Sequence, residues 1–135
     1  MPSVLFVCVA NSCRSQMAEA IAKSLSGGRG EVWSAGSSPS GQVHPLAMEL
    51  MREIGLDLRA HRSKGLSGVP ARTWDYVVTM GCGDACPSVP ARHRLDWTIP
   101  DPIGLPLEKA RQIRDQIAAR VRGLMRKLIQ PSRPG

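Results

Sequence analysis

The fold is decided by one stretch near the start of the chain, SVLFVCVANSCRSQMAEAIAKSL, which covers residues 3–25. Its first part, residues 3–7, is a continuous apolar run rich in Val, Leu and Phe, which is typical of a strand buried on both faces. Over residues 15–25 the apolar side chains recur at helical spacing, and Ser-Gly-Gly at 26–28 predicts the end of a helix. A buried strand that runs through a short loop into a helix predicts the opening unit of an α/β fold.

Further along the chain, apolar runs alternate with helical spacings. Pro45 stands at a first helical position, and the residues after it predict a helix that ends at Gly55. The apolar face of that helix is predicted to comprise Leu46, Leu50, Met51 and Ile54. Three further segments are predicted as strands: residues 31–35, residues 74–79 and a brief fourth strand over 95–97.

Apolar residues repeat every three or four positions from Leu107 to Leu128, which predicts one long amphipathic helix. Its outward face is predicted to carry Arg111, Arg114, Arg120, Arg122 and Arg126. Strands separated by helices imply a parallel sheet with helices on both faces and a ligand site at the carboxyl ends of the strands. We therefore expect a single α/β domain over residues 1–129, followed by a flexible tail over 130–135.

The composition is that of one globular domain that attracts anions. Of 135 residues, 42% are hydrophobic and 21% are charged, and the formal net charge is +7. Aromatic residues, at 4%, are too few to stack single-stranded nucleic acid, so a small oxyanion or an acidic protein is the favoured partner. The longest apolar run, residues 4–10, is too short to span a membrane, and no basic residue precedes it as in a signal peptide. We expect a cytoplasmic monomer that binds neither membrane nor nucleic acid.

The loop between the first strand and the first helix is predicted to be an anion site. Its backbone N–H groups can surround an anion, with the helix N-terminus behind them. The planar guanidinium of Arg14 suits two oxygens of a tetrahedral oxyanion, and Asn11 tolerates the positive φ that such a tight loop demands. The residues predicted to contact the oxyanion are Val9, Ala10, Asn11, Ser12, Cys13 and Arg14.

Cys8, at the end of the strand, is predicted to point into this loop, where the positive field favours the ionised sulfur. Ser15 is predicted to add a hydroxyl donor to that sulfur. Taken singly, Cys8 would be a buried strand-end thiol and Arg14 a surface cation. Their spacing between a strand and a helix favours a catalytic nucleophile instead, and Cys13 is interpreted as structural packing.

The segment from Cys8 to Ser15, continuing as Gln-Met-Ala-Glu-Ala over 16–20, resembles the active-site loop of low-molecular-weight protein tyrosine phosphatases and of the arsenate reductases built on the same fold. The continuation is similar to the reductase branch. This resemblance runs from residue 3 to about residue 128 and implies a four-stranded parallel sheet flanked by helices. It also implies that Asp101, in an Asp-Pro pair, is the general acid, a role that requires partial burial of its carboxyl group.

Cys82 and Cys86 follow the third strand and are expected on the same side of the sheet as Cys8. Reduction of arsenate to arsenite takes two electrons, which two thiols supply by forming one disulfide. In the steps that the resemblance implies, Cys8 attacks arsenate, Cys82 attacks Cys8, and Cys86 moves the disulfide outward to Cys82–Cys86. The expected reductant is thioredoxin. Because the spacer between Cys82 and Cys86 is shorter than in thioredoxin-coupled enzymes, a glutaredoxin-like or mycoredoxin-like partner with a low-molecular-weight thiol is the alternative.

Some similar proteins hold potassium near the loop through residues that correspond to Asn11, Glu19 and Ser34, with an aspartate where this chain has Lys64. A lysine ammonium cannot ligate a cation. We therefore expect Lys64 to take the cation's place and to pair with Glu19, so that the protein needs no potassium. His61 is interpreted as a structural histidine beside this group.

Three other functions stay open. A phosphatase would use the same loop, nucleophile and acid, but the related phosphatases carry tyrosines just after Asp-Pro, where this chain has Ile103 and Gly104. Weak hydrolysis of aryl phosphates is expected as a side reaction. A zinc site of the four cysteines would consume the thiol at the mouth of the loop, and an oxyanion sensor would bind without turnover. We expect no metal and no bound cofactor, with phosphate or sulfate as mimics of arsenate.

Overall fold

The computed structural model describes residues 2–81 and 88–129. Four strands form its sheet: β1 (Ser3–Cys8), β2 (Glu31–Gly36), β3 (Trp74–Thr79) and β4 (Ala91–Asp96). Three α-helices accompany them: α1 (Arg14–Ser26), α2 (Pro45–Arg52) and α3 (Leu107–Ile129). A single turn of 3-10 helix, Leu66–Gly68, precedes β3. The predicted α/β fold with a four-stranded parallel sheet is confirmed.

The strand order is β2-β1-β3-β4, so β1 lies between the two strands that follow it in the chain. From β1 the chain passes to β2 on one side of β1, and it later returns to form β3 on the other side. The carboxyl end of β1 is therefore a topological switch point, where a crevice opens between diverging loops. Cys8, the last residue of β1, pairs with Gly36 at the end of β2 and stands at this point.

The sheet is covered on both faces, but unequally. Alternate residues of β1, such as Val4 and Phe6, pack in one cluster with side chains of all three α-helices. Leu5 and Val7 pack on the opposite face, in a smaller cluster that includes Trp74. Within the described residues, the second face is covered by the 3-10 turn and by loop residues rather than by a long helix. Both faces of β1 are buried, as its apolar run predicts.

The fourth strand is longer than predicted and lies earlier. It spans Ala91–Asp96 instead of residues 95–97, and its middle residues are exposed. This edge of the sheet carries Arg92, His93 and Arg94, and charged side chains are one way in which edge strands avoid pairing with other chains. Because these residues are polar, hydropathy alone does not reveal the strand. The strand ends at Asp96.

Three residues predicted on apolar helix faces are instead exposed: Leu25, Ile54 and Leu107. Each stands in the first or last turn of its helix or just beyond it. Periodicity assigns a residue to a face, but it does not show where along the helix the core ends.

Arg114 was predicted on the outward face of the last helix and is instead buried, with 8% exposure. Its Nη1 donates to the Leu50 carbonyl oxygen at 3.2 Å and to Glu53 Oε1 at 2.6 Å. These acceptors lie at the carboxyl end of α2, where the last carbonyl groups of a helix have no partner within it. Arg114 therefore ties α3 to α2. No helix in the described ranges is long and apolar enough to span a bilayer.

Candidate active site

The loop from β1 to α1 holds its carbonyl groups outward. Every residue from Cys8 to Cys13 accepts a hydrogen bond on its carbonyl oxygen from a donor outside the loop. In the order of those carbonyls, the donors are Ser37 N, Ser38 N, Ser40 N, Gln16 Nε2, His44 N and Met17 N, at 2.8 to 3.1 Å. In a trans peptide the N–H group points away from the carbonyl, so the N–H groups of the loop face its interior.

The N-terminus of α1 adds to this field. Its N-cap residue, Cys13, makes no side-chain cap, and the first turn carries no acidic residue. The N–H groups of a first helical turn have no partner within the helix, and the helix dipole places partial positive charge there. The loop interior therefore combines several uncompensated donors with positive potential, which suits a tetrahedral oxyanion.

Asn11 fixes the shape of the loop. In the described ranges it is the only residue other than glycine with positive φ, at 48°. Its buried side chain donates to Ser15 Oγ at 2.8 Å and to Ser34 Oγ at 2.9 Å. Its Oδ1 accepts from Lys64 N and from Gln16 Nε2, both at 2.9 Å. A glycine would adopt the same backbone conformation but would make none of these four bonds.

The Cys8 sulfur lies 2.8 Å from Ser15 Oγ, and both side chains are buried. Because Ser15 Oγ already accepts a hydrogen bond from Asn11, its own proton is free to point at the sulfur. The structure thus places the predicted nucleophile at the carboxyl end of β1 with a hydroxyl donor directed at it.

Arg14, the first residue of α1, is anchored by one nitrogen. Its Nη1 donates to the Ile99 carbonyl oxygen at 3.0 Å, which leaves the Nε and Nη2 hydrogens for a ligand. Ile99 belongs to the segment that leads to Asp101, the predicted acid. Asp101 is exposed rather than partly buried, and its Oδ1 accepts from the Ile103 N–H at 3.0 Å. The partial burial expected of Asp101 is therefore wrong for this structure.

Cys13 lies beside the nucleophile but differs from it in surroundings. Burial, together with the charges of Asp101 and Cys8 and against the opposing effect of Arg14, raises the pKa of Cys13 to about 12. Cys13 stays a neutral thiol near pH 7, which suits the packing role predicted for it.

Behind the loop, positively charged side chains surround the carboxylate of Glu19. Its buried carboxylate pairs with Lys23 at 2.6 Å and with Lys64 at 3.7 Å, and it accepts a hydrogen bond from Ser34. Burial raises the pKa of Glu19, but hydrogen bonds from Lys23 and Ser34 and the lysine charges outweigh it and leave the pKa below its ordinary value. The four residues expected together, Asn11, Glu19, Ser34 and Lys64, are brought together. Lys23 was missed, although its position four residues after Glu19 is a recognisable helical pair.

Gln16 and His61 form a second support; the sequence analysis interprets His61 as structural but misses Gln16. Fully buried Gln16 donates through Nε2 to Asn11 and to the Arg62 carbonyl oxygen at 2.7 Å. Its Oε1 lies 2.9 Å from His61 Nδ1. Burial lowers the pKa of His61 despite the opposing charge of Glu19, so the imidazole is neutral near pH 7 and donates from Nδ1. Ser63 donates to the Ala10 carbonyl oxygen at 2.7 Å and braces the loop from the same segment.

The two later cysteines, Cys82 and Cys86, lie outside the described residues. Gly81, directly before Cys82 in the chain, packs against the Arg14 guanidinium. Among residues 2–81 and 88–129, no three His, Cys, Asp or Glu side chains form a group suited to a metal ion. The described part of the site is therefore an oxyanion loop with one nucleophilic sulfur and one anchored arginine.

Comparisons with known proteins agree with this geometry. A family model described as low molecular weight phosphotyrosine protein phosphatase matches residues 3–133. The chain is 40% identical over 131 residues to the glutaredoxin arsenate reductase of Synechocystis sp. (strain ATCC 27184 / PCC 6803 / Kazusa), covering 95% of this chain and 99% of that relative.

Two solved structures are similar in fold and in sequence. One is described as an arsenate reductase in the phosphate binding state, with a TM-score of 0.84, 39% identity, and coverage of 95% of this chain and 99% of that one. The other is a thioredoxin-dependent arsenate reductase from Corynebacterium glutamicum, with a TM-score of 0.78, 39% identity, and coverage of 95% of this chain and 62% of that one. The resemblance inferred from the loop sequence is confirmed.

Proposed function

The chain belongs to the low molecular weight phosphotyrosine protein phosphatase family, and from that premise we propose that it reduces arsenate to arsenite by thiol chemistry. One observation carries the proposal: a buried cysteine sulfur, hydrogen-bonded by a serine hydroxyl, lies at a loop whose carbonyl groups all point outward. The similarity to arsenate reductases supports arsenate as the oxyanion. The sequence supplies two further thiols, Cys82 and Cys86, for the electrons.

In the first step, arsenate binds with its oxygens toward the loop N–H groups and the free Nε and Nη2 hydrogens of Arg14. The ionised Cys8 sulfur attacks arsenic and forms an S–As bond. One arsenate oxygen leaves as water after accepting a proton, and we assign that proton transfer to Asp101. The carboxyl group of Asp101 is exposed, so this assignment does not rest on the partial burial expected for it. What supports it is that Ile99, two residues earlier, accepts a hydrogen bond from Arg14.

In the second step, the Cys82 thiolate attacks the Cys8 sulfur. The S–As bond breaks and its electron pair stays on arsenic, so As(V) becomes As(III) and arsenite leaves. Cys86 then attacks Cys82, which frees the Cys8 thiolate and leaves a Cys82–Cys86 disulfide for an external dithiol to reduce. Gly81 supports this route, because it places the start of the segment that carries Cys82 against Arg14.

Mass spectrometry of the reduced protein before and after one equivalent of arsenate tests the proposal. We expect a loss of two hydrogens, mapped to a Cys82–Cys86 disulfide. Cys82→Ser should stop at an arsenic adduct on Cys8, because the thiol proposed to attack that sulfur is missing. Phosphate in place of arsenate is the matched control, since it fits the loop but accepts no electrons. Unchanged thiols after arsenate would refute the proposal.

The reductant is a separate question, for which the relatives point in two directions. One relative is named as a glutaredoxin enzyme and one solved structure as thioredoxin-dependent. We propose thioredoxin, because Cys86 gives the chain a second thiol with which to present an exposed disulfide. Cys86→Ser should then lose turnover with thioredoxin. Full turnover of this variant with a glutaredoxin and a low-molecular-weight thiol would favour the alternative route.

Phosphatase activity is the second candidate, because the family shares the loop, the nucleophile and the acid. The surface after Asp101-Pro102 does not favour an aryl phosphate: exposed Ile103 and Gly104 supply no aromatic wall there. We therefore propose only weak hydrolysis of activated aryl phosphates. Release of phosphate from such an ester, with thiols unchanged by arsenate, would instead establish the phosphatase.

A further inference from the structure

We propose that Gly81 is a positioning residue for Arg14: the missing side chain at residue 81 leaves the space in which the guanidinium docks. This inference rests on the oxyanion site of the proposed function, and it adds a residue that touches the arginine rather than the oxyanion. It also explains why the chain has glycine at the position between the end of β3 and Cys82.

The space at Gly81 is occupied by one nitrogen of Arg14. A Cβ built on Gly81 would collide with Arg14 Nη1, and it would lie 3.3 Å from Arg14 Cζ and 3.6 Å from the Ile99 carbonyl oxygen. The same Nη1 donates to that carbonyl at 3.0 Å. Two backbone segments, one at Gly81 and one at Ile99, therefore enclose a single end of the guanidinium and fix its orientation.

This orientation decides which hydrogens the arginine offers. With Nη1 enclosed, the side formed by Nε and Nη2 is the one left for two oxygens of a bound anion. If the guanidinium were pushed away from Gly81, it would lose its hydrogen bond to the Ile99 carbonyl oxygen. Its Nε and Nη2 donors would then rotate away from the bound anion. The orientation of the donors is then lost but the positive charge is kept, because the arginine stays cationic.

A side chain at residue 81 is expected to displace the guanidinium and not the backbone. The backbone just before Gly81 is held: Met80 N donates to the Val7 carbonyl oxygen at 2.8 Å, and Trp97 N donates to the Thr79 carbonyl oxygen at 2.8 Å. By contrast, Nη1 is the far end of a flexible side chain. The backbone strain of alanine at positive φ is a separate effect, and Gly55, which also has a φ of 81°, allows it to be measured alone.

Gly55→Ala is a matched control because nothing lies within 4 Å of a Cβ built there, and Gly55 follows the end of α2 that is opposite to His44, whose N–H bonds the loop. The affinity for inorganic phosphate, measured by calorimetry, should fall by roughly tenfold or more in Gly81→Ala, the loss typical of one misplaced charge-assisted hydrogen bond. It should be unchanged in Gly55→Ala. The Nε–H resonance of Arg14, assigned by its absence in Arg14→Lys, should shift in Gly81→Ala and stay in place in Gly55→Ala.

Three results would overturn the inference. The first is phosphate affinity in Gly81→Ala equal to that in Gly55→Ala. The second is weaker affinity without a shift of the Arg14 resonance, or a shift without weaker affinity. The third is a Gly81→Ala protein that does not fold while Gly55→Ala does, because the backbone would then have yielded. None of these readouts uses arsenate, so thiols that fail to react with arsenate would refute the proposed reduction and leave the role of Gly81 standing.

Discussion

Replacing Asn11 removes the side chain on which the oxyanion loop depends, and the structure gives the size of the effect. Asn11 makes four buried hydrogen bonds, two as donor and two as acceptor. At about 1 kcal/mol net for each bond, their loss destabilises the protein by about 4 kcal/mol. Alanine at the positive φ of residue 11 adds roughly 1 kcal/mol, so we expect about 5 kcal/mol for Asn11→Ala.

Asn11→Gly separates the two contributions, because glycine adopts the positive φ freely but makes none of the bonds. We expect it to lose about 4 kcal/mol, which is a large share of the roughly 5–15 kcal/mol that stabilises a typical domain. With a urea m-value of about 2 kcal/mol per molar, the unfolding midpoint should fall by about 2 M. Phosphate binding should weaken in parallel, since the loop N–H groups lose their alignment.

Urea unfolding followed by circular dichroism measures both variants, with far-ultraviolet spectra in the absence of urea to show that each still folds. We expect Asn11→Gly to be more stable than Asn11→Ala but much less stable than the unaltered protein. If Asn11→Gly were within about 1 kcal/mol of the unaltered protein, the side-chain bonds would contribute almost nothing and the loop would owe its shape to backbone conformation alone.

Three further predictions concern charge and burial. The pKa of Glu19 is lowered on folding, so its ionised form stabilises the protein above the ordinary value of 4.5, and this contribution is lost as the pH falls through the folded-state value. Unfolding of Glu19→Gln in urea should therefore depend less on pH over this acid range than that of the unaltered protein, and identical dependence would contradict the assignment. With a pKa of about 12, Cys13 is ionised in only about one molecule in ten thousand at pH 8, so iodoacetamide should leave Cys13 unlabelled while it labels Cys8, the nucleophile of the proposed reaction, in peptide mass spectra. Equal labelling would show that burial does not protect Cys13. Arg114→Ala should lower stability by about 2 kcal/mol through lost packing and buried hydrogen bonds, whereas exposed Arg120→Ala should change it by less than about 0.5 kcal/mol in thermal unfolding. Equal effects would place both arginines on the surface.

The opening of the fold was predictable because its information is local. The apolar run of β1, the loop and the periodicity of α1 are consecutive in the chain, and each has a direct physical reading. The positive φ of Asn11 followed from the tolerance of asparagine for that conformation. The spacing of Cys8 and Arg14 then located the site at the carboxyl end of the first strand.

Other features depend on contacts between residues distant in the chain, and the sequence carries little trace of them. Arg114 is buried because its acceptors at the end of α2 lie more than 60 positions away. Gln16 supports the loop only through its contacts with the segment at Arg62. The early part of β4 is polar because it forms an edge of the sheet. The role of Gly81 depends on Arg14, which is distant in the chain and packs against it.

Four of the six donors that hold the loop carbonyls outward are main-chain N–H groups between residues 37 and 44. Every amino acid except proline supplies such a group, so substitutions at Ser37, Ser38 and Ser40 should leave these bonds in place, whereas insertions, deletions or new prolines should not. The natural sequence fits this requirement, because the proline of this stretch, Pro39, lies between Ser38 and Ser40 at a position from which no donor is required. In a library of random variants, this stretch should accordingly vary in sequence but keep its length.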